Sequence, residues 1–145
     1  FDTAAAIERV VELSRQHAET AACSVRAVGG MGAVIVGNQE LFEQALFNLI
    51  LNAAQATGPG GIIEIRVAET DADIVVGVHD NGPGVPPEAI DRIFEPFHTT
   101  RSGGYGLGLV AVKACAEVHR GSVTVGPSPL GGACFRIAVP MTKSA

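Results

Sequence analysis

Several things are scarce in this chain, and each scarcity removes a class of function. Its ten lysines and arginines lie scattered against fifteen acidic residues, for a formal net charge of −5 over 145 residues. With no basic run, the sequence carries no footprint for nucleic acid. No apolar stretch approaches the roughly 20 residues of a membrane helix, and the first residues lack the basic-then-apolar order of a secretory signal. The chain therefore reads as cytoplasmic, with no membrane contact of its own. The three cysteines, Cys23, Cys115 and Cys134, are odd in number, far apart and set among apolar residues. They imply neither a disulfide framework nor a zinc site and read as free thiols. His17, His79, His98 and His119 show no metal-binding spacing, and each reads as a core or surface histidine. There is no GxxxxGK[ST], and Gly104, Gly106 and Gly108 alternate rather than follow the GxGxxG order of a dinucleotide fold.

What the chain does have is apolar content, 47% of its residues, enough for one core and a single domain over residues 1–145. The spacing predicts a helix from about Thr3 to Glu19 with an apolar face of Ala6, Ile7, Val10, Val11 and Leu13. A strand over Cys23 to Val28 and a short apolar piece from Ala33 to Val36 follow. A second helix over Gln39 to Ala56 is capped by Asn38 or Gly37 and ended by Thr57-Gly58-Pro59-Gly60-Gly61. Two alternating segments, around Ile63 to Val67 and Ile74 to Val78, read as a hairpin. The last third holds a helix after the Gly104–Gly108 cluster, with Leu107, Val110, Ala111, Ala114, Cys115 and Val118 at helical spacing. It closes with strands around Val123 and Phe135, joined by a turn from Pro127 to Gly132.

Four features could carry chemistry. Asp80 shares parity with Ile74, Val76 and Val78, so it extends the core face of its strand, where a carboxylate needs a partner. An acceptor-only group there suits a flat ligand with an exocyclic amine, such as adenine. Asn48 and Asn52 sit one turn apart on one helix face, as a paired amide network or as oxygens offered to a metal. The cluster Gly104-Tyr105-Gly106-Leu107-Gly108-Leu109 opens a helix and can point backbone amides at phosphate. Between the glycine clusters, Phe94 and Phe97 anchor a segment that reads as a lid, and Arg101 has the geometry of a phosphate ligand.

In order and in register, these pieces resemble the ATP-binding catalytic domain of sensor histidine kinases, in the superfamily of gyrase B, Hsp90 and MutL. Asn48-Leu49-Ile50-Leu51-Asn52-Ala53 looks like the N box and Asp80-Asn81-Gly82-Pro83-Gly84 the first glycine box. Phe94-Glu95-Pro96-Phe97 looks like the F box, Gly104 to Leu109 the second glycine box, and Gly131-Gly132-Ala133-Cys134-Phe135 a final one. The resemblance implies an α/β two-layer sandwich, a mixed and mainly antiparallel sheet with about three helices on one face.

It also implies ATP and magnesium as cofactors, with Asn52 on the metal and Asn48 supporting it. Asp80 would bind the adenine amine, and Gly82 and Gly84 would lie close to the base. Arg101, Gly104, Tyr105, Gly106, Leu107, Gly108 and Leu109 would serve the phosphates. Where the superfamily's hydrolases carry a glutamate base, this chain has Asn48, which favours phosphoryl transfer over water activation. Gln55, Ala56, His98 and Tyr105 also depart from common family residues.

No histidine here has the context of a phosphoacceptor, and the first residue is Phe1 rather than methionine. The expectation is a catalytic fragment, inactive as a kinase alone. Its acceptor histidine and dimerisation would belong to a helical domain preceding residue 1, with a response regulator receiver domain as downstream partner. The alternatives are a serine/threonine kinase of the anti-sigma-factor type, or a degenerate nucleotide- or protein-binding module.

Overall fold

Period-two alternation and period-3.6 stripes sort this chain into two layers. A computed structural model describes residues 1–18, 20–29, 33–90 and 106–141. Its helices and strands run α1 (Thr3–Gln16), β1 (Ser24–Gly29), α2 (Gln39–Thr57), β2 (Ile62–Glu69), β3 (Asp73–Asp80), α3 (Pro87–Ile90), α4 (Gly106–Val118), β4 (Ser122–Pro127) and β5 (Ala133–Pro140). The strands form one sheet in the order β1-β2-β3-β5-β4, with β1 parallel to β2 and every other pair antiparallel. Three long helices pack on one face: α1 on β1, α2 on β2 and β3, and α4 on β4 and β5. This is the mixed α/β sandwich that the resemblance implies.

The core lies between the layers. Ile63 and Ile65 of β2, Val76 and Val78 of β3, and Ile137 of β5 are buried against Phe42, Leu46, Leu49 and Ile50 of α2. Full burial of each such side chain contributes about 1.5–3 kcal/mol. The helix ends follow local rules. Asp2 accepts from Ala4 N–H to cap α1, and Asn38 accepts from Leu41 N–H to cap α2. Gly58, with φ +76° and ψ −176°, takes a positive-φ conformation open to glycine that stops α2, and it donates its N–H to Ala54 O.

Two expectations are corrected. Helix α1 stops at Gln16 rather than Glu19, because Ser14 and Thr20 capture its last carbonyls. The Ser14 hydroxyl donates to Val11 O at 2.6 Å, and that of Thr20 donates to Ser14 O. Ser14 takes the inward position, leaving Leu13 at 51% exposure. On α4 the buried line is Leu109, Val112, Cys115, Ala116 and His119, whereas Ala114 and Val118 face outward. The polar anchor decides it. His119 Nδ1–H donates to Cys115 O at 2.8 Å and Nε2 accepts from Asn38 N–H at 3.0 Å. The imidazole thereby fastens the end of α4 to the start of α2 and claims the inward line.

Among the described residues, none of the three long helices packs on the other face of the sheet. There Glu64, buried at mid-strand, pairs with Arg26 at 2.5 Å and Arg66 at 2.9 Å. Hydrogen bonds from Arg26 and then Arg66 hold its carboxyl below the usual value. Beside it His79 Nδ1 lies 2.9 Å from Ser128 Oγ, and Nε2 lies 3.3 Å from Cys134 Sγ. Burial, reinforced by the charges of Arg66 and Arg136, pushes the His79 pKa down, while burial pushes the Cys134 thiol up. The pair is therefore a neutral imidazole beside a thiol. All three cysteines are free.

Candidate functional site

Strand β3 delivers Asp80 to the end of the sheet, paired in register with Ile63. As parity demands, its side chain turns inward, and the residue is 1% exposed. One oxygen, Oδ1, accepts from Gly82 N–H at 2.9 Å and Ala133 N–H at 3.2 Å. The Asp80 carbonyl accepts from Gly132 N–H at 3.1 Å. One residue thus ties the loop after β3 to the entry of β5. Both amides bond the same oxygen, which leaves Oδ2 outside these contacts. The sequence places an acceptor here; its dependence on Gly132 and Ala133 could not be read, since they lie fifty residues away along the chain.

The glycines make that closeness possible. A β-carbon on Gly132 would fall 2.2 Å from Asp80 Oδ1 and 2.6 Å from both Asp80 O and Gly82 N. One on Gly82 would meet the Ala56 carbonyl group at 3.3 Å, so this loop runs against the last turn of α2. Asn81 Oδ1 accepts from Ile62 N–H at 2.9 Å and pins the loop to β2. Beside this knot a cleft of about 350 Å³ is lined by Pro83, Gly84, Val85, Val125, Pro127 and Gly132 among others. The slot is mostly apolar, and its lining residue Gly132 is the one whose N–H donates to the Asp80 carbonyl.

Asn48 and Asn52 lie on α2, both half-buried at the margin of its buried stripe. Their oxygens are the hard, neutral donors that a magnesium ion accepts alongside phosphate. Helix α4 begins at Gly106 and carries Leu107, Gly108 and the buried Leu109 in its first turn. The first amides of a helix have no intrahelical acceptor and point toward incoming anions. Helices α2 and α4 pack against each other. Arg101, Gly104 and Tyr105 lie outside the described residues, as do the Phe94–Phe97 motif, His98 and the whole expected lid.

One residue of consequence escaped the sequence. A lone histidine on an apolar stripe gives no sign that His119 will bond the cap of another helix. Gly37 is its counterpart, because a β-carbon there would fall 2.2 Å from His119 Cδ2 and Nε2.

A layered sheet with helices on one face, and a buried carboxylate braced by glycine loops at a strand end, define the class of domain. Residues 37–143 match the histidine kinase-, DNA gyrase B- and HSP90-like ATPases, and the chain belongs to that family. Its curated relatives are sensor kinases. Sporulation kinase A of Bacillus subtilis is 38% identical over 106 residues, which cover 73% of this chain and 18% of that protein. The probable sensor histidine kinase TcrY of Mycobacterium tuberculosis is 39% identical over 114 residues, covering 74% of this chain and 24% of that protein. The chain thus spans about a fifth of such relatives.

Among solved structures, the catalytic domain of histidine kinase ThkA superposes with a TM-score of 0.84 at 26% identity, covering 97% of this chain and 93% of that one. Full-length ShkA in complex with AMPPNP gives 0.81 at 28% identity, covering 100% of this chain and 31% of that one. No helix among the described residues is long and apolar enough to cross a membrane.

Proposed function

We propose that this domain binds Mg-ATP and presents its γ-phosphate to a histidine on an adjoining helical dimerisation domain of the same protein, within two-component signalling. The observation that carries this reading is the geometry of Asp80. The carboxylate is buried and braced by two backbone amides through one oxygen, and the same residue holds Gly132, which lines an apolar slot.

In this assignment Asp80 accepts from the adenine amine, and Gly82 and Gly84 let the chain approach the base. Gly106, Leu107, Gly108 and Leu109 offer the start of α4 to the phosphates, joined by Arg101, Gly104 and Tyr105. Asn52 holds the magnesium ion with Asn48 supporting it, and the bound ion supplies charge neutralisation across the phosphates. Catalysis is then positioning and electrostatics. Asn48, in place of a carboxylate base, gives water no activating group at that position. The nucleotide complex of ShkA supports ATP as ligand. The complex of ThkA with response regulator protein TrrA supports a receiver domain as the downstream partner.

The test combines binding and transfer. Calorimetry should show ATP binding that tightens with magnesium, and Asn52→Ala should lose that magnesium dependence. Adding a separately produced phosphoacceptor domain should yield acid-labile phosphohistidine, whereas the chain alone should not label itself. Acid-stable phosphoserine on a partner, or self-labelling, would overturn the assignment.

A further inference from the structure

The face of the sheet opposite the three long helices is a second organised surface among the described residues. Its register is explicit. Arg26 stands beside Glu64, Val28 beside Arg66, Gly77 between Arg66 and Arg136, and Thr124 beside Arg136. Two arginines therefore flank a position with no side chain, about 10 Å apart across two strand spacings. That position is itself buried: a β-carbon on Gly77 would meet His79 Nε2 and Cys134 Sγ at 3.2 Å, so those two side chains fill the space over it.

Charge and exposure single this face out. Arg26 and Arg66 are both committed to Glu64, but Arg136, half-buried, makes no ion pair among the described residues. Asp73 is the other carboxylate in register on this face. It stands four residues from Gly77 along β3, about 13 Å away. Three arginines against Glu64 and Asp73 give the face +1 within a chain of net charge −5. Val28 and Ile62, exposed at 45% and 41%, lie on it too. Arginine is among the residues enriched at protein interfaces, and the exposed Val28 stands directly beside Arg66.

We propose that this face docks a protein segment carrying carboxylates spaced between apolar residues. An acidic side chain lies between Arg66 and Arg136, over the surface that His79 and Cys134 fill, and an apolar neighbour covers Val28. Arg136 gains a counter-ion that none of the described residues provides. This surface is separate from the nucleotide site, so it stands or falls independently of the proposed kinase activity.

The experiment uses the 145-residue chain and a fluorescein-labelled octapeptide of alternating Glu and Val, read by anisotropy and by amide NMR shifts. The peptide should bind at low salt and shift the amides of Val28, Gly77, Thr124 and Arg136. Arg136→Gln should weaken it about fivefold, and the Arg66→Gln/Arg136→Gln double variant further, with screening by added salt. The amide NMR spectra of both variants should keep the parent's dispersion, which shows them folded. Arg120→Gln makes the same charge change away from this face and should leave peptide binding within twofold. Equal weakening by Arg120→Gln, no binding at low salt, or displacement by inorganic phosphate at matching concentration would overturn the proposal.

Discussion

Replacing Asp80 by asparagine separates folding from recognition at one atom. In the folded protein Oδ1 alone receives the amides of Gly82 and Ala133, at 2.9 and 3.2 Å. Asparagine retains a carbonyl oxygen in that place, so both internal bonds survive in neutral form and the variant should fold. What changes is the other end of the group, where an acceptor becomes an NH₂ donor. A ligand amine that bonded Oδ2 then faces a donor. Losing one hydrogen bond to a charged acceptor costs about 1.5–3 kcal/mol, or roughly 10- to 150-fold in affinity.

Calorimetric titration with ATP and with inosine triphosphate provides the decisive contrast. Inosine carries a carbonyl where adenine carries the amine, so Asp80→Asn should weaken ATP by that factor and leave inosine triphosphate equal or tighter. Equal losses for both nucleotides, or unchanged ATP affinity, would refute the assignment of Asp80 to the base. A variant melting far below the parent would show instead that the charge on Oδ1 is a folding requirement.

Gly132→Ala puts a β-carbon 2.2 Å from Asp80 Oδ1; overpacking of this kind costs about 1–3 kcal/mol, and both melting temperature and ATP affinity should fall. Gly126→Ala, whose nearest contact would be 3.6 Å from the Arg136 side chain, should stay within about 0.5 kcal/mol in a denaturant melt. Gly37→Ala should displace the His119 ring and destabilise by about 1–3 kcal/mol, yet cost much less in a His119→Ala background, so a double-mutant cycle that came out additive would contradict the coupling. The folded-state pKa of His79 lies below its ordinary value of 6.5, so the native state binds fewer protons than the unfolded one. Its contribution to stability is full above that ordinary value and is lost as pH falls from there through the folded pKa. Denaturant midpoints measured downward from pH 7.5 should show this loss, and it should disappear in His79→Gln.

Much of this structure was legible because alternation and helical spacing are local. Parity alone turned Asp80 inward, and Asn38 announced the start of α2. What failed were positions set by distant partners. Val118 has the right spacing for a core face of α4, but His119 claims the inward line through a bond to Asn38, eighty-one residues away. Leu13 lost its expected burial to Ser14, whose hydroxyl bonds back into its own helix. At the candidate site, the sequence displayed the glycine clusters and asparagines, while the bracing of Asp80 by β5 depends on strand order that no local pattern encodes.

The bond between His119 and the Asn38 amide has a mechanical consequence. It joins α4 to α2 at the end remote from the first turn of α4, so it acts as a pivot. Helix α4 from Gly106 to Val118 is a lever about 18 Å long. A swing of only about 10° around that pivot would carry its leading amides some 3 Å, about a full hydrogen-bond length. A single imidazole at the far end of α4 therefore limits how its first turn, the part proposed above for the phosphates, can travel, favouring an arc over a slide along α2.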